Sequence, residues 1–315
     1  MKFFRRFRRH PLAAAALALL VLLTAAAALA GVVADQIVGQ PLRTVDLDPA
    51  RKDLSPSLGA RTLDTLEGPR RAWHPLGTNK LGQDLLVRIL YGGRVSLAAG
   101  FAAAVLALFL GCLAGGLAGT FGGRFDAALM RLTDFMMALP LLPVLIILSA
   151  ADLQKMPGGS LIAAHVPPEY LSVVRIVVLE SLLAWMGTAR IVRGQILTLR
   201  ERDFVLSARA LGSRRFRLLW RHLLPNCAGP VLVAGTLAVG EVILAESALS
   251  FLGLGVQAPL PSWGNLLMSA RPHLATTPWL AIFPGLCILL TVASFNFLGD
   301  GLRDAVDPRT REDSR

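Results

Sequence analysis

Residues 200–225 read RERDFVLSARALGSRRFRLLWRHLLP, a polar, arginine-rich stretch set between two apolar runs that are each long enough to cross a bilayer. Val205, Ala208 and Leu211/Gly212 fall on one stripe at helical spacing. Phe216, Leu219/Trp220 and Leu223 repeat the pattern, while Arg214, Arg215, Arg217 and Arg221 take the other side. The spacing predicts a helix, a turn and a second helix. Gly212 suits the residue after a helix C-terminus because positive φ costs it nothing, and Ser213 is placed to cap the second helix. Pro225 limits that helix or opens the next one at its first turn. A helical hairpin of this kind at a membrane surface is a docking knob.

The composition around it fixes the class. With 54% hydrophobic residues and a mean hydropathy of +0.57 over 315 residues, the chain is too apolar for a soluble globular protein and reads as an all-α, multi-pass membrane protein. The formal charge of +11 is spread over short segments flanking apolar runs, with no aromatic-interleaved basic surface. That distribution sets topology and excludes nucleic acid as a partner. Cys112, Cys227 and Cys287 lie far apart without metal-ligand spacing and read as packing residues. None of the four lysines (Lys2, Lys52, Lys80, Lys155) sits in a GxxxxGK[ST] phosphate loop, so the chain does not bind ATP by that motif.

Six spans are expected, with both termini cytoplasmic. The basic arm MKFFRRFRRH precedes an apolar run, Pro11 to Ala34, read as an uncleaved anchor. The competing reading is a signal peptide cut after Ala28-Leu29-Ala30, which a mature start at Gly31 would establish. Residues 35–94 are expected as an extracytoplasmic loop ending in an interfacial helix within His74 to Gly100, with Asp84 and Arg88 as an i, i+4 ion pair. Residues 95–302 form the five-helix core, with a coupling loop at 190–224, and 303–315 a cytoplasmic tail. The second span, Val95 to Thr120, carries Gly111, Gly115 and Gly119, a double GxxxG suited to close helix contact. The third, Ala127 to Ala150, contains Pro140 and Pro143 and should kink, with Asp134 near Arg131. The fourth, Val173 to Ala189, is interrupted by Glu180 and ends at Arg190 and Arg193; the fifth covers Pro225 to Phe251 and the sixth Trp279 to Leu298.

Four blocks in order, HPLGTNKLGQDLLVRILYGGRVSL, ARIVRGQILTLRERDFVLSARALGSRRFRLLWRHLLPN, AESALSFLGLGVQAPLPSWGNLL and PWLAIFPGLCILLTVASFNFLGDGLRDAVDPR, resemble the permease subunits of binding-protein-dependent ABC importers. The likeness is to the C-type subunit of dipeptide, oligopeptide and nickel systems and covers nearly the whole chain. It implies a bacterial inner-membrane location and an "EAA" coupling loop between spans four and five. Leu206, Ser207 and Ala208 stand at the E-A-A positions, Gly212 at the glycine, and Leu224-Pro225 at the ending, with His222 at the preceding apolar position. The acidic residue is missing, so any contact it makes passes to Asp203 or Glu201 or is lost. Asp203, Leu206, Ser207, Ala208, Leu211 and Gly212 are therefore the expected ATPase-coupling residues. The resemblance further implies two cytoplasmic ATPases holding ATP and Mg, a paralogous permease and an extracytoplasmic solute-binding protein. No cofactor is implied on this chain itself.

Glu241 and Glu246 lie within the fifth span, where a charge normally faces the bundle interior or a wet cavity, and are the candidates for the translocation pathway. For Glu246, bracing the following loop is an equal alternative. His10, His74, His165, His222 and His273 are scattered, and no metal or Ser/His/Asp constellation shares a face. A membrane-embedded enzyme would need converging polar groups, and only the isolated Glu180, Glu241 and Glu246 are available. A purely structural scaffold would leave solute uptake indifferent to the hairpin. Peptides are the cargo the resemblance implies first, with nickel chelates, glutathione and other small solutes as alternatives.

Overall fold

The computed structural model describes residues 10–38, 52–57, 59, 61–65, 68–150 and 164–306. Most of the basic arm, the whole segment 151–163 and the tail from 307 lie outside them. Among the described residues, five helices are long and apolar enough to cross a membrane: α1 (Pro11–Ala28), α2 (Leu85–Phe121), α5 (Leu171–Leu199), α8 (Ala228–Phe251) and α10 (Trp279–Val306). The pair α3 (Gly123–Ala138) and α4 (Leu141–Ser149), bent by 90°, passes the same test only when taken together, and counted as one broken span it makes the sixth. The bend falls at Leu139-Pro140, where proline lacks an N–H and the residue before it is pushed out of helical geometry.

α2 and α5 form the central seam. Their backbones meet at Gly111, Gly115 and Gly119. A Cβ on Gly111 would lie 2.7 Å from the carbonyl of Trp185, one on Gly119 2.8 Å from Ile196 Cγ2, and one on Gly115 would collide with the carbonyl of Ala189. The double GxxxG is therefore a helix contact, as its spacing predicts, because packing has to supply what the hydrophobic effect does not supply in lipid. At one end of this seam α3 is tied to α5 by Arg193, which clasps Asp126 through two bonds of 2.5 and 2.7 Å, and by the ion pair of Arg190 with Asp134. Arg190 thus takes the role expected of Arg131. α5 does not stop at these arginines but continues to Leu199, where the chain enters the hairpin.

The interfacial helix expected within His74 to Gly100 is not a separate element. α2 starts at Leu85 and runs unbroken through the boundary drawn at 94/95. Before it lies a folded cap. Asp84 accepts the backbone N–H of Val87 at 3.0 Å and pairs with the buried His74 at 2.9 Å, while Arg88 donates to Gln83. The Asp84–Arg88 pair does not form because an N-terminal orphan N–H holds the carboxylate more directly. Upstream, β1 (Arg61–Thr65) and β2 (Gly68–Ala72) make an antiparallel hairpin. α1 packs on α10 and α2 through Ala13, Ala16, Leu20 and Ala27, and Arg94 of α2 donates to the carbonyls of Ala27 and Ala28 at 2.6 Å each. A cation at a helix C-terminus satisfies carbonyls that have no partner within the helix.

Candidate functional site

At one end of the bundle, α6 (Asp203–Ala210) and α7 (Arg215–Leu218) form the hairpin, and a wider turn at Leu219–Leu223 carries the chain to α8. Gly212 closes α6 with φ of 81°: its N–H bonds the carbonyl of Arg209 at 2.9 Å and that of Ser213 bonds Ala208 at 3.0 Å. This pair of bonds is what a left-handed residue past a helix end makes possible. Ser213 does not cap the second helix. Arg214 stands at that position with no side-chain bond, since the helix begins at Arg215, one residue too late for Ser213.

The hairpin has two apolar sides, not one. Val205, Leu218, Leu219 and Leu223 are buried against Val192 and Ile196 of α5, with Cys112 and Leu117 of α2 beside them. Leu206, Leu211, Phe216 and Trp220 face outward, Leu211 with 86% of its surface open. Leu211, Phe216 and Trp220 share the apolar stripe of the sequence with Val205 and Leu223, yet they are open and those two are buried. The turn at Gly212 rotates α7 relative to α6, so the pattern that runs straight through the sequence divides into a keel and a crown. Asp203 and Ser207 are exposed, so of the E-A-A positions Leu206 and Ser207 are open, while the half-buried Ala208 packs against the keel. The keel is continuous with the seam, because α5 carries both Val192/Ile196 and the Ala189 that meets Gly115.

The carboxylates of the bundle interior separate sharply. Glu246 of α8 is fully buried and takes hydrogen bonds from Ser250 at 2.7 Å and Ser96 of α2 at 3.2 Å, with Ser247 at 3.5 Å. Those serines reach on: Ser250 accepts the N–H of Val256 at 3.0 Å and Ser96 that of Trp263 at 3.2 Å, the first residue of α9 (Trp263–Ala270). Ser262 and Asn265 cap α9 reciprocally. Glu246 therefore braces the loop after α8 against α2 from a fully buried position. Glu241 is exposed on the same helix and lines a cavity of about 480 Å³ between the broken span, α5 and α8. Glu180 of α5 lines it too. Only 3% of Glu180 is open, and among the described residues neither carboxylate oxygen has a hydrogen-bond partner. In the sequence it stood out only as an interruption of the fourth span.

Residues 107–312 match the family described as "Binding-protein-dependent transport system inner membrane component", and residues 2–56 match the "N-terminal TM domain of oligopeptide transport permease C". The chain belongs to this family of inner-membrane transport components. It is 38% identical to the oligopeptide transport system permease protein of Bacillus subtilis over 76% of this chain and 73% of that one. Identity is 43% with the Salmonella typhimurium oligopeptide permease protein (76% and 73%) and 37% with the dipeptide transport system permease protein of Alkalihalophilus pseudofirmus (78% and 75%). Membership makes the chain a multi-pass membrane component of a transport system and not an enzyme.

Proposed function

We propose that this chain is the permease subunit of an ABC importer for di- and oligopeptides, working by alternating access with a paralogous permease, two ATPases and an extracytoplasmic binding protein. The curated relatives named for peptide transport support the cargo. The observation that carries the mechanism is the hairpin's division into a buried keel and an open apolar crown. The chain has no phosphate loop, so the work of ATP hydrolysis, with its ATP and Mg, has to arrive through a contact. An exposed apolar crown rigidly joined to two spans is built to receive one. The arginines around it favour a cytoplasmic hairpin by the positive-inside bias, and in this reading both termini share that side.

The pathway in this reading runs along the exposed face of α4, α5 and α8. Glu241 is open there among Leu182 and Leu244, and a charge at that depth is costly against lipid but stable in a wet channel between two permeases. Leu211→Asp tests the coupling. In the reconstituted transporter it is expected to cut ATP-dependent uptake about tenfold or more by placing a charge in an apolar contact, with the unfolding temperature of the complex unchanged because Leu211 touches little of its own chain. Uptake at the wild-type rate would refute the hairpin as the lever. Cysteine at Ser207 should crosslink to the ATPase, whereas a hairpin open to the outside would be labelled there by an impermeant thiol reagent in intact cells.

A further inference from the structure

Every electrostatic feature of the cavity between the broken span, α5 and α8 points the same way. Glu180 and Glu241 line it and no lining residue carries positive charge. α3 ends at its edge, with Met136, Met137 and Leu139 in the lining. The last carbonyls of a helix carry its negative end; here that of Met136 accepts the N–H of Leu139 at 3.2 Å, while Pro143 offers no N–H to the carbonyl of Leu139 four residues earlier. Discontinuous helices in transporters are tolerated where the freed backbone lines a cavity. The remaining wall is apolar: Leu141, Val144, Leu145, Leu183 and Val242 among others. Among the described residues Glu180 differs from Glu246 in having no hydroxyl to satisfy it, although both are buried. An acidic group kept dry and without a donor is costly unless a donor arrives from elsewhere.

We propose that Glu180 and Glu241, with the carbonyl end of α3, form a receptor for the ammonium group of the transported peptide during its passage. This rests on the peptide-permease reading and adds the chemical group recognised and the residues that recognise it. An ammonium brings three donors and a positive charge, matching two carboxylates and a carbonyl cluster, and the apolar wall accommodates side chains without selecting among them. Glu241, exposed at the mouth, meets the cation first; Glu180, deeper in the wall, holds it in a less screened environment. The ammonium can be the peptide's own N-terminus or a lysine side chain.

The test uses the complete transporter with its binding protein, in proteoliposomes, and a tripeptide without lysine in two forms, free at the N-terminus and N-acetylated. A third peptide, N-acetylated with one lysine, separates the two sources. For each variant the ratio of free to acetylated uptake is divided by that of the wild type, which cancels any preference of the binding protein. Glu180→Gln and Glu241→Gln are each expected to lower this ratio about tenfold, the size of one lost charge-assisted bond. If the loss instead follows the lysine peptide, the receptor reads side-chain ammonium. A ratio within about twofold of wild type for Glu241→Gln, with uptake of the N-acetylated lysine peptide relative to its lysine-free counterpart equally unchanged, in a complex that still holds its ATPases, overturns the proposal whether or not Glu180→Gln assembles. Absence of any peptide uptake by the wild type would instead overturn the peptide reading, and this inference with it.

Discussion

Glu246 and Glu180 sit in neighbouring helices of one membrane bundle, both closed off from solvent, yet the chain treats them in opposite ways. Glu246 is surrounded by Ser96, Ser247 and Ser250, and the network extends into the backbone at Val256 and Trp263. Glu180 lines a cavity with Leu145, Leu183 and Met186, and among the described residues it has no donor to either oxygen. A buried polar group is stabilising only when its partners are supplied. One carboxyl is thus part of the architecture, while the other is left incomplete beside a cavity. The bracing carboxyl lies near the start of a loop that has to stay put, and the incomplete one lies where the broken span opens space.

Replacing Glu246 with leucine gives the largest effect. The hydroxyls of Ser96 and Ser250 lose their acceptor in a dry interior, and the loop after α8 loses its tie to α2. The expected cost is about 3 kcal/mol, read as a lower unfolding midpoint in detergent titration and a smaller yield of assembled complex. Ser96→Ala is milder, about 1 kcal/mol, in keeping with the modest worth of single hydrogen bonds between membrane helices. Combining the two should cost clearly less than their sum, because both break the same link. Additive costs would show that Ser96 acts only through the N–H of Trp263.

The sequence made some of this legible and hid the rest for physical reasons. Spans are visible because hydropathy is a property of contiguous residues. The kink at Pro140 and the turn at Gly212 are visible because proline and glycine act locally. Gly111, Gly115 and Gly119 announced a contact, though not that α5 would fill it. Charge pairing was hidden: Asp126 finds Arg193 and Asp134 finds Arg190 across the fold, and nothing in local spacing distinguishes Arg190 from Arg131 as the partner. Periodicity showed the hairpin to be amphipathic but treated Leu211 and Leu219 alike, although one is open and the other closed. Which apolar residue belongs to a keel depends on the angle between two helices. Glu180 was hidden in the same way, since a lone acid in a span looks like an imperfection until its neighbours are placed around it.

Glu180→Leu should have the smallest effect on stability, and the sign matters more than the size. Removing a carboxyl that has no donor relieves a desolvation cost, and leucine matches the apolar neighbours Leu145, Leu183 and Met186. The expected change is about 1 kcal/mol or less, toward greater stability, in the same detergent titration that registers Glu246→Leu as a loss. Such a result would mean that the resting fold is better off without the group it carries, which is the signature of a residue retained for something other than folding. A loss comparable to that of Glu246→Leu would instead reveal a partner for Glu180 within the assembled bundle, and the distinction between the two carboxyls would disappear.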